Sequence, residues 1–436
     1  MSVGKQFAKY VSQNILGMVG ISFYILADTF FISMAEGTNG ITALNLVLPL
    51  YSLIFAIGAM IGVGSAICFK ILRAKKDASA EYYFSNAILC ALLIGAIFMM
   101  IGGLFPGQLV RALGGDEEIV LVGTPYTRIF MLFAPCFMWN HICNAFVRND
   151  GAPSVAMAAT LLSSLFNIVM DYVLMFPLGL GMAGAALATA ISPVVGIMIC
   201  CIHFFSKKST IRFQWAVPSI KKLVESCQLG VSAFVGEISS GVTTIVFNML
   251  ILGLAGNVGV AAYGVVANTS LVAVSVFNGV SQGSQPLISE YYGKGESKAV
   301  RKLLSLGTVT SCILAVMIIS VVYLLAEQIV AIFNSEQDVA LVSYGITGIR
   351  LYFLGFFFAG INIVGTGFLS AVESAKMAFV ASVMRGFVAI ILCAVVMAKL
   401  FGMIGVWLAF PAAELVTMLV TSVALRQAVK GMQNKI

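Results

Sequence analysis

Asp28 sits in YILADTFFIS, Asn167 and Asp171 sit in FNIVMDYVLM, and Thr189 sits in GAALATAIS, each in apolar surroundings. An ionised carboxylate is costly in hydrocarbon, so acids inside membrane segments are functional by default. Carboxylates brought together in a low dielectric resist ionising at the same time, so a pair can hold a proton at neutral pH. The same oxygens, joined by an amide and a hydroxyl, can instead ligate Na⁺, a hard cation that prefers oxygen. Asn167 precedes Asp171 by one helical turn, so the two share a helix face. Asp28, Asn167, Asp171 and Thr189 are therefore the candidate cation-coupling set, and the metal-ligand set if the ion is Na⁺. The alternative is two separate aspartates, each satisfied by local hydrogen bonds. Glu237 and Glu414 are weaker candidates for lining a cavity in the second half, with structural pairing to Arg385 or to a backbone group as the competing role of either. His141 reads as a core histidine, and His203 as interfacial near the cytoplasmic end.

These residues need membrane helices to position them. Of the 436 residues, 60% are hydrophobic and 10% charged, with a mean hydropathy of +1.02. Soluble domains average about 45–50% apolar and about 25% charged. Windowed apolarity predicts helices over 12–34, 43–69, 82–104, 124–146, 153–176, 182–205, 227–254, 258–287, 302–325, 341–371, 376–399 and 403–426. The first span holds Asp28 and lacks a small-residue cleavage site, so it reads as a retained helix. The net charge of +7 collects in short connectors: Lys70, Arg73, Lys75 and Lys76; Arg148; Lys207, Lys208, Arg212, Lys221 and Lys222; Lys294 and Lys298. That is a topology signal and excludes a nucleic-acid face. Acids such as Asp116, Glu117 and Glu118 occupy the opposite connectors, so both termini are expected on the cytoplasmic side. The nine cysteines form no CxxC and predict neither disulfides nor a zinc site. The absence of a GxxxxGK[ST] motif argues against direct ATP coupling.

The chain repeats itself. GTNGITA from Gly37 recurs as GNVGVAA from Gly256, GQLVRALGGDEEIVLVG from Gly107 recurs loosely as EQIVAIFNSEQDVALVS from Glu327, and GMAGAALA from Gly181 recurs as GMIGVWLA from Gly402. The spacing stays near 220 residues, a unit of six helices, and an even unit keeps its orientation in the membrane. The expected fold is all-α and polytopic, with twelve helices in two pseudo-twofold-related six-helix lobes around a central cavity. The lobes would be 1–205 and 227–436, joined by a basic cytoplasmic linker at 206–226. At the repeat offsets Asp28 faces Phe247, Asp171 faces Ile391 or Leu392, and Thr189 faces Phe410. The polar groups are thus additions to the first lobe, at one expected depth.

LADTFFIS, FNIVMDYVLMFPLGLGMAGAALATAIS, AFVRNDGAPSVAM and VSQGSQPLISEYYGKGE make the chain resemble the multidrug and toxic compound extrusion (MATE) transporters over essentially its whole length. The nearest branches are the DNA-damage-inducible and Mep-type ones. The resemblance implies export of cationic amphipathic drugs in exchange for H⁺ or Na⁺, with no cofactor beyond that ion. It places Asp28, Asn167, Asp171 and Thr189 in a first-lobe cation site and Glu237 at a seventh-helix acid used elsewhere for coupling. Relatives proposed to bend the first helix do so at a proline; this chain has none there, so a bend would need Gly17 or Gly20. A single chain in the bilayer is the expected working unit. The competing functions are a lipid-linked saccharide flippase, disfavoured by scarce intramembrane cations, and an aspartyl protease, disfavoured because Asp171 lacks a GxGD context. A channel or receptor fits poorly with the repeat.

Overall fold

A computed structural model describes residues 2–333 and 338–433; residues 334–337, inside the second copy of a repeat quoted above, lie outside the described residues. The described residues form α1 (Val3–Gly37), α2 (Thr42–Ala74), α3 (Ala78–Leu104), α5 (Pro153–Met175), α6 (Gly181–Phe204), α9 (Ser297–Leu324) and α10 (Val339–Ala371). Helix α4 is a bent pair, Glu117–Leu132 and Ala134–Asn149, meeting at 48°. Two longer runs break at a glycine: Ile220–Gly293 at Gly256, giving α7 (220–255) and α8 (257–293), and Ala375–Met432 at Gly402, giving α11 (375–401) and α12 (403–432). The described chain therefore holds the twelve spans expected.

The repeat is written in the backbone. Gly37 has φ 59° and ψ −142°, and Gly256, 219 residues later, has φ 63° and ψ −158°. Only glycine adopts that region without strain. Gly181 and Gly402 repeat the pattern with φ of 50° and 58°, and Lys76 and Gly295 do so with 60° and 75°. The bend after Leu132 recurs in α10 as a tight turn at Phe353–Gly355. Helix α1 runs through Gly17 and Gly20 without interruption, so its backbone break is at Gly37 instead.

Two compact units emerge, Leu16–Glu237 and Met1–Ile15 with Ile238–Ile436. They are not simply the two sequence halves, because each takes one helical segment from the other half. Close backbone contact explains why. A Cβ on Gly64 of α2 would lie 1.8 Å from the Ser226 carbonyl oxygen of α7, and one on Gly230 would lie 1.9 Å from that of Met60. A Cβ on Gly279 or Gly283 of α8 would lie 2.5 Å from Ile15 Cα or 2.8 Å from Val11 Cα. Small residues let membrane helices approach this closely. Because the obstacle at Gly230 is backbone, Gly230→Ala is expected to destabilise the protein by about 1–3 kcal/mol, read as a lower thermal midpoint in detergent. An unchanged midpoint would contradict this packing.

The connector from α6 to α7 is a strap rather than a loose linker. Its extended part, 209–219, is pinned to the Leu16–Glu237 unit, and α7 already begins at Ile220. Asp150, at the end of α4, accepts from Thr210 N at 2.9 Å, from Ser209 Oγ at 3.3 Å and from the Thr210 hydroxyl. It also meets His203 Nε2 at 2.8 Å. His203 is therefore buried, on an aspartate that the strap also holds.

Candidate functional site

Asp28 on α1, Asn167 and Asp171 on α5, and Thr189 on α6 are all buried within the Leu16–Glu237 unit. Close helix approach brings them together: Cβ atoms on Gly20 and Gly184 would meet Leu161 Cδ2 at 2.6 Å and the Leu174 carbonyl carbon at 2.9 Å. The carboxyl groups of Asp28 and Asp171 are side-chain neighbours. Asn167 Nδ2 donates to Thr189 Oγ1 at 3.4 Å, which leaves the amide oxygen free to face elsewhere. Four buried oxygens, Asp28 Oδ1, Asn167 Oδ1 and both oxygens of Asp171, have no hydrogen-bond donor among the described residues. Buried polar atoms are nearly always paired, so four orphans in one place call for a visiting donor or cation.

The donor set is all oxygen. Among the described residues no three His, Cys, Asp or Glu side chains form a transition-metal cluster. Carboxylate, amide and hydroxyl oxygens suit a proton or a hard cation.

The neighbourhood adds groups that sequence reasoning missed. Tyr24, one turn before Asp28, places its hydroxyl 3.3 Å from that of Tyr51. Tyr51 stacks on Phe55 and Phe130 at 4.2 and 4.8 Å. Tyr24, Tyr51 and Tyr126 lie within electrostatic range of Asp28. The i, i+4 relation of Tyr24 to Asp28 was the available signal. Glu36, at the end of α1, accepts the Met182 N–H at 3.2 Å and so satisfies one free donor at the start of α6.

In the other unit the repeat-equivalent positions hold an aromatic stack. Phe247, opposite Asp28 in the repeat, is fully buried and stacks on Tyr263 at 5.2 Å. Phe410, opposite Thr189, lies parallel to Tyr352 at 4.2 Å. One copy of the repeat packs these positions with rings, and the other gathers unpaired oxygens there.

A family profile described as MatE matches residues 14–173 and 233–395, once in each half. The chain belongs to the MatE family. It is a membrane transporter and not an enzyme. Among MatE relatives, the multidrug export protein MepA of Staphylococcus saprophyticus is 27% identical over 408 residues, 93% of this chain and 89% of its own length. The protein of the same name from Staphylococcus aureus strain NCTC 8325 is 29% identical over 390 residues, 88% and 84% of the two chains. An outward-facing multidrug resistance MATE transporter of the MOP superfamily superposes with a TM-score of 0.93 at 19% identity, covering 100% of this chain and 97% of that one. A MOP superfamily transporter from Pyrococcus furiosus, described as having a binding pocket of reversed polarity that suggests a different function, superposes with a TM-score of 0.92 at 19% identity, covering 99% and 97%. These likenesses show the fold.

The two glutamates of this MatE chain differ in setting. Glu237, in α7, is exposed. Glu414, in α12, is buried, and both its oxygens are occupied: Oε1 by Arg385 Nε at 2.9 Å and Oε2 by Asn362 Nδ2 at 2.7 Å. Arg385 rides on a wide π-type turn, Met384–Val388, that interrupts α11. Such turns insert one residue and re-aim a side chain.

Proposed function

We propose that the protein is a cation-coupled antiporter exporting cationic amphipathic compounds by alternating access, with Asp28 and Asp171 as the coupling pair and Asn167 and Thr189 completing their site. The observation that carries this reading is the group of four buried, donorless oxygens on those residues. A proton shared by the carboxyls, or Na⁺ held among the oxygens, removes the orphan state. The name of the staphylococcal relatives, multidrug export protein, supports a broad drug range. The lysine and arginine distribution supports cytoplasmic termini and a cytoplasmic linker at 206–226; the internal repeat supports 1–205 and 227–436 as lobes, and the bacterial relatives support a prokaryotic inner membrane. The transporter acts as a single chain.

The cycle follows from differential affinity. An ion entering from outside neutralises the aspartate pair, which weakens attraction for a cationic drug and releases it outward. The ion-loaded form then turns inward and discharges. Coupling exists only because the two states bind each ligand unequally. No observation favours the flippase reading; Arg385 is neutralised by Glu414.

The test is ethidium export by purified protein in liposomes, with a pH gradient and a Na⁺ gradient imposed separately. Export under one gradient alone names the ion. Absence of export under both, with the protein demonstrably folded, would overturn the antiporter and favour a lipid-linked substrate.

A further inference from the structure

The strap between α6 and α7 is held rigidly from one side and is greasy and basic on the other. From below, Gln214 donates its backbone N–H to Ser85 Oγ at 2.7 Å and its side-chain amide to Glu81 at 2.6 Å. Ser219 donates its N–H to Asn86 Oδ1 at 2.6 Å, and Asn86 returns its own amide to the Ser219 carbonyl at 3.3 Å. With these anchors the intervening residues are extended, and alternate side chains of an extended chain point to opposite sides. Gln214 points inward, while Phe213, Trp215 and Val217 point outward, the last two with relative exposures of 86% and 90%. The rings of Phe213 and Trp215 meet edge to face at 5.0 Å, which confirms that they share a side. Phe205 and Ile220 flank them and are also exposed.

The exposed charges that border this ridge are predominantly basic. Lys207, Lys208, Arg212 and Lys221 are exposed. The nearby acids already have partners: Glu81 holds Gln214 and Arg73, Glu225 the Tyr83 hydroxyl, Asp150 His203 and the strap backbone, and Asp77, within electrostatic range of Lys222, the Ser79 N–H. Beside the ridge, a small open cleft is bordered by Tyr82, Ser85 and Asn86 on one side and by Ala216, Val217, Ser219 and Lys222 on the other. The Lys222 ammonium lies 4.5 Å over the Tyr82 ring at its edge. An aromatic and aliphatic ridge bordered by cations matches the boundary between acyl chains and anionic headgroups.

We infer that this strap is an anionic-phospholipid site of the cytoplasmic leaflet, with Trp215 and Val217 among the acyl chains and a headgroup phosphate in the cleft beside Lys222. The leaflet assignment rests on the orientation proposed above; the lipid preference does not. Hydrogen-bond anchoring fixes the ridge before lipid arrives, so headgroup charge, not folding of the strap, decides affinity.

The experiment uses the full chain in nanodiscs containing a minor fraction of brominated lipid, either phosphatidylglycerol or phosphatidylcholine, and reads tryptophan quenching. The signal of Trp139 and Trp407 is removed by subtracting a Trp215→Phe protein. Brominated phosphatidylglycerol is expected to quench Trp215 about twofold or more above an equal fraction of brominated phosphatidylcholine, given the attraction of each basic residue to an anionic surface. That preference is expected to vanish in Lys207→Gln/Lys208→Gln/Arg212→Gln/Lys222→Gln and, in the unaltered chain, to fade towards about 1 M salt. Equal quenching by both lipids would overturn the anionic site. No quenching by either would place the ridge in water or against another protein, and would overturn the membrane contact altogether. Both faces of a nanodisc carry the same lipid, so a wrong orientation leaves this signal intact, and no transport is needed to read it.

Discussion

Asp28→Asn and Asp171→Asn are each expected to abolish gradient-driven export in liposomes while leaving the protein folded. Asparagine keeps the size and most of the polarity of aspartate but cannot gain or lose the proton, and it removes a charge that would hold Na⁺. Each variant is therefore fixed in a state resembling the ion-loaded one. If protons are the coupling ion, the sign of the pH effect follows: acidification neutralises the pair, so cationic-drug affinity falls as pH falls in the unaltered chain. Coupling free energies are typically about 1–3 kcal/mol, so the affinity change should be roughly 5–150-fold. Both variants should show the low, acid-like affinity at every pH, measured by fluorescence polarisation of a bound dye. Robust export by both variants would remove coupling from this pair and make Glu237 the next residue to replace.

The second large effect concerns stability. Arg385→Met leaves Glu414 buried with Asn362 as its remaining side-chain partner. Breaking a buried ion pair from one side typically costs about 3–5 kcal/mol, because the charge left behind is uncompensated. Arg385→Met should therefore fold poorly or melt far below the unaltered chain. Arg385→Met/Glu414→Met should recover most of the loss, since two apolar side chains can replace a buried pair with little penalty. If the single variant instead has ordinary stability, the pair is not structural, and Glu414 is available for a ligand.

Subtracting one repeat from the other in the sequence isolated the polar site. Asp28 opposite Phe247 and Thr189 opposite Phe410 marked departures from a shared scaffold: the structure puts an Asp28 oxygen among the unpaired ones and the Thr189 hydroxyl on Asn167 beside them, while Phe247 and Phe410 lie in an aromatic stack. The spans were legible because apolar length is a strong signal, and their joints because glycines such as Gly37 and Gly256 carry backbone angles that other residues avoid. What stayed hidden depends on contacts far apart in sequence. Nothing local to Asp150 shows that a strap sixty residues later will donate to it. The pairing of His203 with Asp150 was hidden in the same way, since the two lie 53 residues apart. The exchange of helical segments between units was equally invisible. It rests on glycine pairs such as Gly64 and Gly230, which look the same in sequence as any other small residues in lipid-facing helices.

That exchange also orders the making of the protein. Gln6 accepts a hydrogen bond from Tyr291, 285 residues further along, and Ile15 and Val11 fit against Gly279 and Gly283. Val11 and Ile15 are made about 270 residues before the glycines they fit against, which lie on the eighth helix. Contacts so distant along the chain form late. A nascent chain therefore carries an unmatched leading segment through most of its insertion. A product truncated before α8 lacks the surface that buries this segment, so the leading helix stays exposed to the quality control of the membrane until α8 has been made.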